Sequence, residues 1–164
     1  EIFYKIFPRT VFGGKNQSET LDWLYNHAAD ARGVVTPRDI VDLLTRARQY
    51  QIDEIAQDST GDQESLFSPK ALLYGMEELS KKKKEFYLQA EFPHLWPNIK
   101  LLMHGKTEYT EDSIKKIYGD TWMRVIEDFL SIGLVKRRSK GGKVTYWIPY
   151  LYRKGLELSQ GLES

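Results

Sequence analysis

The chain has 164 residues, 41% hydrophobic and 13% aromatic, with 24 Lys+Arg against 23 Asp+Glu for a net charge of +1, and no cysteine. A chain of this length buries roughly 70% of its unfolded surface, so disorder is excluded for most of it, and the balanced charge excludes a histone-like basic protein or an acidic solvating tail. Disulfides, thiolate zinc sites, iron–sulfur clusters and thiol nucleophiles are excluded together. No apolar run approaches the roughly 20 residues of a membrane span and no signal peptide is visible, so no membrane partner and a cytoplasmic location are expected. The sequence opens Glu1-Ile2-Phe3-Tyr4 without an initiator Met and reads as an excised fragment.

Ile2 to Phe12 is aromatic and β-branched, holds Pro8 and runs into Gly13-Gly14, which predicts a strand or extended arm and a turn. Ser18 then offers an N-cap, and Leu21, Leu24, Tyr25 and Ala28 recur at helical spacing until Gly33, predicting a helix over residues 19–32. Thr36-Pro37-Arg38-Asp39 is a sharper start: a hydroxyl cap, Pro at the first helical position and an acid in the first turn, before the stripe Ile40, Leu43, Leu44 and Ala47. Residues 57–67 are polar, with Asp58-Ser59-Thr60-Gly61-Asp62 as the clearest linker. Charge changes sign at the same place: residues 1–67 hold 7 Lys+Arg and 11 Asp+Glu, net −4, whereas 68–164 hold 17 and 12, net +5. The boundary is expected there, with residues 1–66 a helical segment carrying the extended arm and 67–164 a second domain.

Ser68-Pro69 repeats the cap-plus-proline start and opens a long helix over about 69–91 whose core stripe is Leu72, Leu73, Met76, Leu79, Phe86 and Ala90. Lys81-Lys82-Lys83-Lys84 lies inside it and, at about 100° per residue, wraps around the helix as a solvated stretch. Leu95 to Met103 predicts a short helix ended by Gly105. Thr110 caps a second helix that carries Ile114, Ile117 and Tyr118 inward, and after Gly119, Asp120 caps a third with Trp122, Val125, Ile126, Phe129 and Leu130 as its buried stripe. Leu134–Arg138 and Val144–Ile148 read as strands, joined by Ser139-Lys140-Gly141-Gly142-Lys143, whose glycines supply positive φ for a hairpin. Leu151–Leu158 predicts a last short helix, and Leu162-Glu163-Ser164 reads as a partly vector-derived end. The expected fold is mainly α with a minor β part: a helical N-terminal part, then a long helix and a winged helix-turn-helix domain with a β-hairpin wing.

A base-reading third helix needs Arg, Lys, Asn or Gln on its exposed face. Here the non-core positions are Thr121, Arg124, Glu127, Asp128 and Ser131, with Asp120 at the start, so acids outnumber bases. The hairpin differs: Lys136, Arg137, Arg138, Lys140 and Lys143 put five cations in eight residues around a glycine tip. That pattern suits a clamp on a phosphate backbone that reads no sequence. Protein–protein or intramolecular packing is the competing reading, and strand edges also carry Lys and Arg simply to stay unpaired.

The residues show no catalytic constellation. His27, His94 and His104 are far apart in the chain and no metal site is expected. The adjacent acids Glu77-Glu78, Glu111-Asp112 and Glu127-Asp128 diverge by about 100° on a helix and cannot share a proton, and no Ser stands in a nucleophile elbow. Gly13-Gly14-Lys15-Asn16 invites a phosphate-loop reading, but Arg9 occupies the place of its first Gly and Asn16 that of the Ser or Thr that would hold magnesium.

Gly33-Val34-Val35-Thr36-Pro37-Arg38-Asp39-Ile40-Val41-Asp42-Leu43-Leu44, followed by Ala47, resembles a segment in the helical lid of prokaryotic P-loop ATPases of the AAA and STAND-like type. In that segment a Gly, a Pro-Arg or similar pair and an aliphatic helix follow the nucleotide core. In several of those proteins a winged helix comes next, and Trp122 to Leu134 and Tyr146 to Arg153 look like such a terminal domain. The resemblance implies that a nucleotide-binding core with its ATP and Mg lay before Glu1, and that Arg38 matches the lid arginine reaching toward the γ-phosphate. It also implies that this fragment is not itself an enzyme but a regulatory piece coupling nucleotide state to a partner held by the winged helix. An Arg beside the exposed amides of a first helical turn favours an anion; the competing reading of Arg38 is a surface cation paired with Asp39 or Asp42. The alternative function is a DNA-binding module led by its wing.

Overall fold

The computed structural model describes residues 2–13, 17–57 and 65–164, apart from the side chain of Lys140. The expected linker from Asp58 to Asp62, and Gly14 to Asn16 of the phosphate-loop-like stretch, lie outside the described residues. The chain divides into two compact units, Glu1–Ala28 with Val35–Leu79, and Ala29–Val34 with Ser80–Ser164. It is mainly helical with a small four-stranded mixed sheet. No helix among the described residues is long and apolar enough to cross a membrane.

The first unit holds α1 (Ile2–Ile6), α2 (Thr20–Ala28), α3 (Pro37–Ala56) and the greater part of α4 (Pro69–Lys82). The apolar start is a helix, not the expected strand. Phe3 and Phe7 lie one helical turn apart with ring centroids at 4.6 Å, and Phe7 stacks on Phe67 at 5.1 Å. The Phe67 amide meets the Ile6 carbonyl at 2.8 Å, so a contact some sixty residues away in the chain overrides the β-preference of Ile and Phe. α2 is shorter than expected because residues 29–34 are built into the other unit. α3 begins where the cap and proline place it: Thr36 is extended and its hydroxyl accepts the Asp39 amide at 3.1 Å. Leu43 and Ala47 are fully buried, and Gly75 of α4 passes so close that an added Cβ would run into the Leu43 carbonyl oxygen. Ser68 caps α4 by accepting the Ala71 amide, and its own amide donates to the buried Gln51 side chain at 2.8 Å.

In the second unit the long helix leaves α-geometry at Lys82 and continues as a π-helical segment, Lys83–Gln89. The Ser80 hydroxyl accepts the Gly155 amide at 2.8 Å, and only a glycine fits at 155, where a Cβ would strike the Ser80 carbonyl. There follow α5 (Trp96–Lys100), shorter than the expected 95–103, then β1 (Lys106–Thr110), which the apolar pattern does not announce, and α6 (Glu111–Tyr118), capped by Thr110 as expected. A single 3-10 turn, Gly119–Thr121, takes in Asp120, which therefore does not cap α7 (Trp122–Ser131). Val125, Ile126 and Phe129 of α7 are buried. β2 (Lys136–Lys140) and β3 (Lys143–Trp147) form the hairpin, closed by Gly141 and Gly142 at φ 58° and 78°, the left-handed pair that a two-residue turn requires. α8 (Tyr150–Arg153) covers only the start of the helix expected over 151–158, and β4 (Ser159–Glu163) takes the last residues into the sheet instead of leaving a tail. The strand order is β2-β3-β1-β4, antiparallel except for β1 with β4.

Candidate functional site

The basic hairpin stands on an ordered base. Lys136, Arg137, Arg138 and Lys143 are all exposed; Lys140 ends β2, and its side chain lies outside the described residues. Cross-strand partners share a face, so Arg137 stands opposite Tyr146 and, one strand further, Tyr109, on the face turned to the core. Lys136 stands opposite Trp147 and Glu108 on the other face. There the guanidinium of Arg138 lies 3.8 Å from the centre of the Trp147 ring. Arg153 approaches the same ring at 5.0 Å and Tyr150 at 4.1 Å, giving a layered group of two cations and two aromatics. Arg153 is buried; its Nε donates to the Ile148 carbonyl and its Nη1 to Gln160, both at 2.9 Å, while Nη2 has no hydrogen-bond partner among the described residues. Burial lowers the pKa of Arg153, and the charge of Arg138 acts in the same direction. The layered group sets a buried guanidinium, Arg153, against the same Trp147 ring as the exposed Arg138.

On α7, Thr121, Met123, Arg124, Glu127 and Ser131 are exposed and Asp128 is half-buried. Arg124 therefore sits among carboxylates. On α6, Lys115 is engaged by Glu111 at 2.6 Å and lies 4.9 Å from the Trp122 ring. In the first unit, Arg38 is exposed in the first turn of α3, one residue before the amide that Thr36 caps. His27 stacks on Trp23 at 4.5 Å, His94 meets Phe92 edge-on, and His104 lies 3.2 Å from Glu157. Among the described residues there is no group of three metal-ligating side chains.

Sequence reasoning singled out the hairpin cations but not what holds them. Trp147, Tyr150 and Arg153 escape a reading by net charge because two of them are neutral and the third is separated from the hairpin by a turn. Their signal was the cross-strand register, which places Trp147 beside the cations once the glycine turn is set. Asp30, Arg32 and Tyr87, which meet the end of α7, carry no local signature at all. Comparison with known protein families, with curated proteins and with solved structures finds no match for this chain.

Proposed function

We propose that the second unit is a winged helix-turn-helix acting as a non-catalytic interaction module, and that the chain is the lid-and-winged-helix portion of a P-loop ATPase of the AAA or STAND-like type. In this reading ATP and Mg bind a core elsewhere in the parent chain, and the module couples nucleotide state to a protein partner. The observation that carries it is the succession helix, β1, α6, α7, β2, β3 with β3 lying between β2 and β1. That order supports a helix-turn-helix followed by a hairpin wing, and α6 packs against β1 and β3. The carboxylates on the outer face of α7 favour a protein partner over base reading, since acids facing phosphate weaken binding. Support for the lid comes from the capped start of α3, which presents Arg38 to solvent beside helix-terminal amides. In the full-length parent, Arg38→Ala is expected to lower ATP affinity or turnover about tenfold, the loss of one charge-assisted contact. Unchanged affinity and turnover would remove Arg38 from that role.

The exposed cations of the hairpin favour a second reading, a weakly sequence-specific clamp on a DNA backbone. Titration of the chain with random duplex DNA separates the two. Counterion release predicts a log–log salt slope near −4 if about four or five phosphates are neutralised; binding undetectable at low salt eliminates the DNA reading.

A further inference from the structure

We propose that residues 29–34 form a strap that fixes the root of the basic hairpin through the end of α7. The last carbonyls of a helix have no partner within it, and from Ser131, the last residue of α7, through Gly133 three consecutive carbonyls are taken up from outside. Ser131 O accepts Arg32 Nη1 at 2.9 Å, Ile132 O accepts the Tyr87 hydroxyl at 3.0 Å, and Gly133 O accepts the Ala31 amide at 2.8 Å. A cation at a helix C-terminus is favourable, and Arg32 is held there by a fork. Its Nε and Nη2 donate to one oxygen of Asp30 at 2.9 and 2.7 Å, while the other oxygen accepts the amides of Arg32 and Val34 at 2.8 and 3.0 Å. Asp30 is itself buried, and the Asp30 amide closes the strap on the Val34 carbonyl. Gly133, at φ 74°, completes the fit, because a Cβ there would run into the Asp30 carboxylate.

Two features give the strap a consequence beyond sealing a helix end. Only Leu134 and Val135, both buried, separate the clamped carbonyls from Lys136, where the hairpin begins, and both of their amides return to Phe129 O. Tyr87 reaches Ile132 from the π-helical segment; such segments break regular geometry and recur at functional positions. The strap thus ties Ala31 and Arg32 to the carbonyls just before the hairpin root. Its test requires neither nucleotide nor partner.

Amide hydrogen exchange on the 164-residue chain provides that test, comparing the wild type with Arg32→Ala, Arg32→Lys and a control, Ile114→Val, which thins the core of the same unit away from the strap. In Arg32→Ala the amides of Ala31, Leu134, Val135 and the hairpin are expected to exchange about tenfold faster or more, together, while β4 keeps its rates. Arg32→Lys, which keeps the charge but loses the fork, is expected to fall between, and the control to speed the unit evenly. Wild-type rates at Leu134, Val135 and the hairpin alongside a loosened strap would overturn the proposal. If Arg32→Ala does not fold, the same comparison in Arg32→Lys decides, with the same two outcomes.

Discussion

Tyr118 is almost wholly buried and donates its hydroxyl to the Asn98 carbonyl at 2.9 Å. Burial pushes its pKa well above the ordinary 10, and Tyr109, also buried, is shifted the same way. The fold therefore favours the protonated phenols. Their contribution is fully present below about pH 10 and is lost as the pH rises through the raised values. Thermal melts between pH 7 and 11 should show stability falling above pH 10, with a shallower fall in Tyr118→Phe. That variant should also lose about 1 kcal/mol at neutral pH from the missing hydrogen bond. An alkaline slope equal to the wild type's would assign the loss to other groups. Gly75 makes a second residue-scale test. Alanine would gain about 1 kcal/mol in helix propensity, yet its Cβ would meet backbone, the Leu43 carbonyl, which cannot swing aside as a side chain would. Gly75→Ala should lower stability by about 1–3 kcal/mol in urea titration, the range of an overpacked core; a gain would show that α3 and α4 separate freely.

Among the elements, those announced by local chemistry were legible and those made by distant partners were not. α3 could be read from Thr36-Pro37, because a cap and a fixed φ act within one turn; Thr36→Ala should cost about 1 kcal/mol, measured by denaturant unfolding. The hairpin could be read from Gly141-Gly142, since the turn needs positive φ at both positions. β1 was hidden because its inward residues are Thr107 and Tyr109, only one of them apolar. β4 was hidden more thoroughly. Ser159 to Glu163 buries almost nothing and is held by hydrogen bonds to β1 and by the Ser113 hydroxyl on the Glu163 carbonyl. Where β1 and β4 begin, His104 and Glu157 both adopt positive φ, 62° and 57°. Such a conformation costs a non-glycine residue about 1 kcal/mol, so His104→Gly should leave the melting temperature unchanged or raise it. A clear drop would mean that the contact with Glu157 outweighs the strain.

At the scale of the whole molecule, a net charge of +1 conceals an acidic first part and a basic second part, and the excess positive charge gathers at the hairpin. Replacing Lys136, Arg137, Arg138 and Lys143 together with Gln should flatten the salt dependence of any duplex binding by up to about 3–4 units of log–log slope. It should change thermal stability little, except through Arg138, whose stacking on Trp147 is worth about 0.5–1 kcal/mol at an exposed site. A slope that survives the substitution would place the contact elsewhere on the molecule. The distribution of charge, the predominance of helix, the capped start of α3 and the hairpin follow from the residues alone, because each depends on neighbours within a few positions. The chain's division into two units, the strand register that sets Arg138 on Trp147, and the strap that meets the carbonyls of Ser131 and Gly133 belong to the tertiary structure. Each joins residues far apart in the chain, Arg32 to Ser131 above all, and no local propensity or periodicity encodes which distant carbonyl a guanidinium will find.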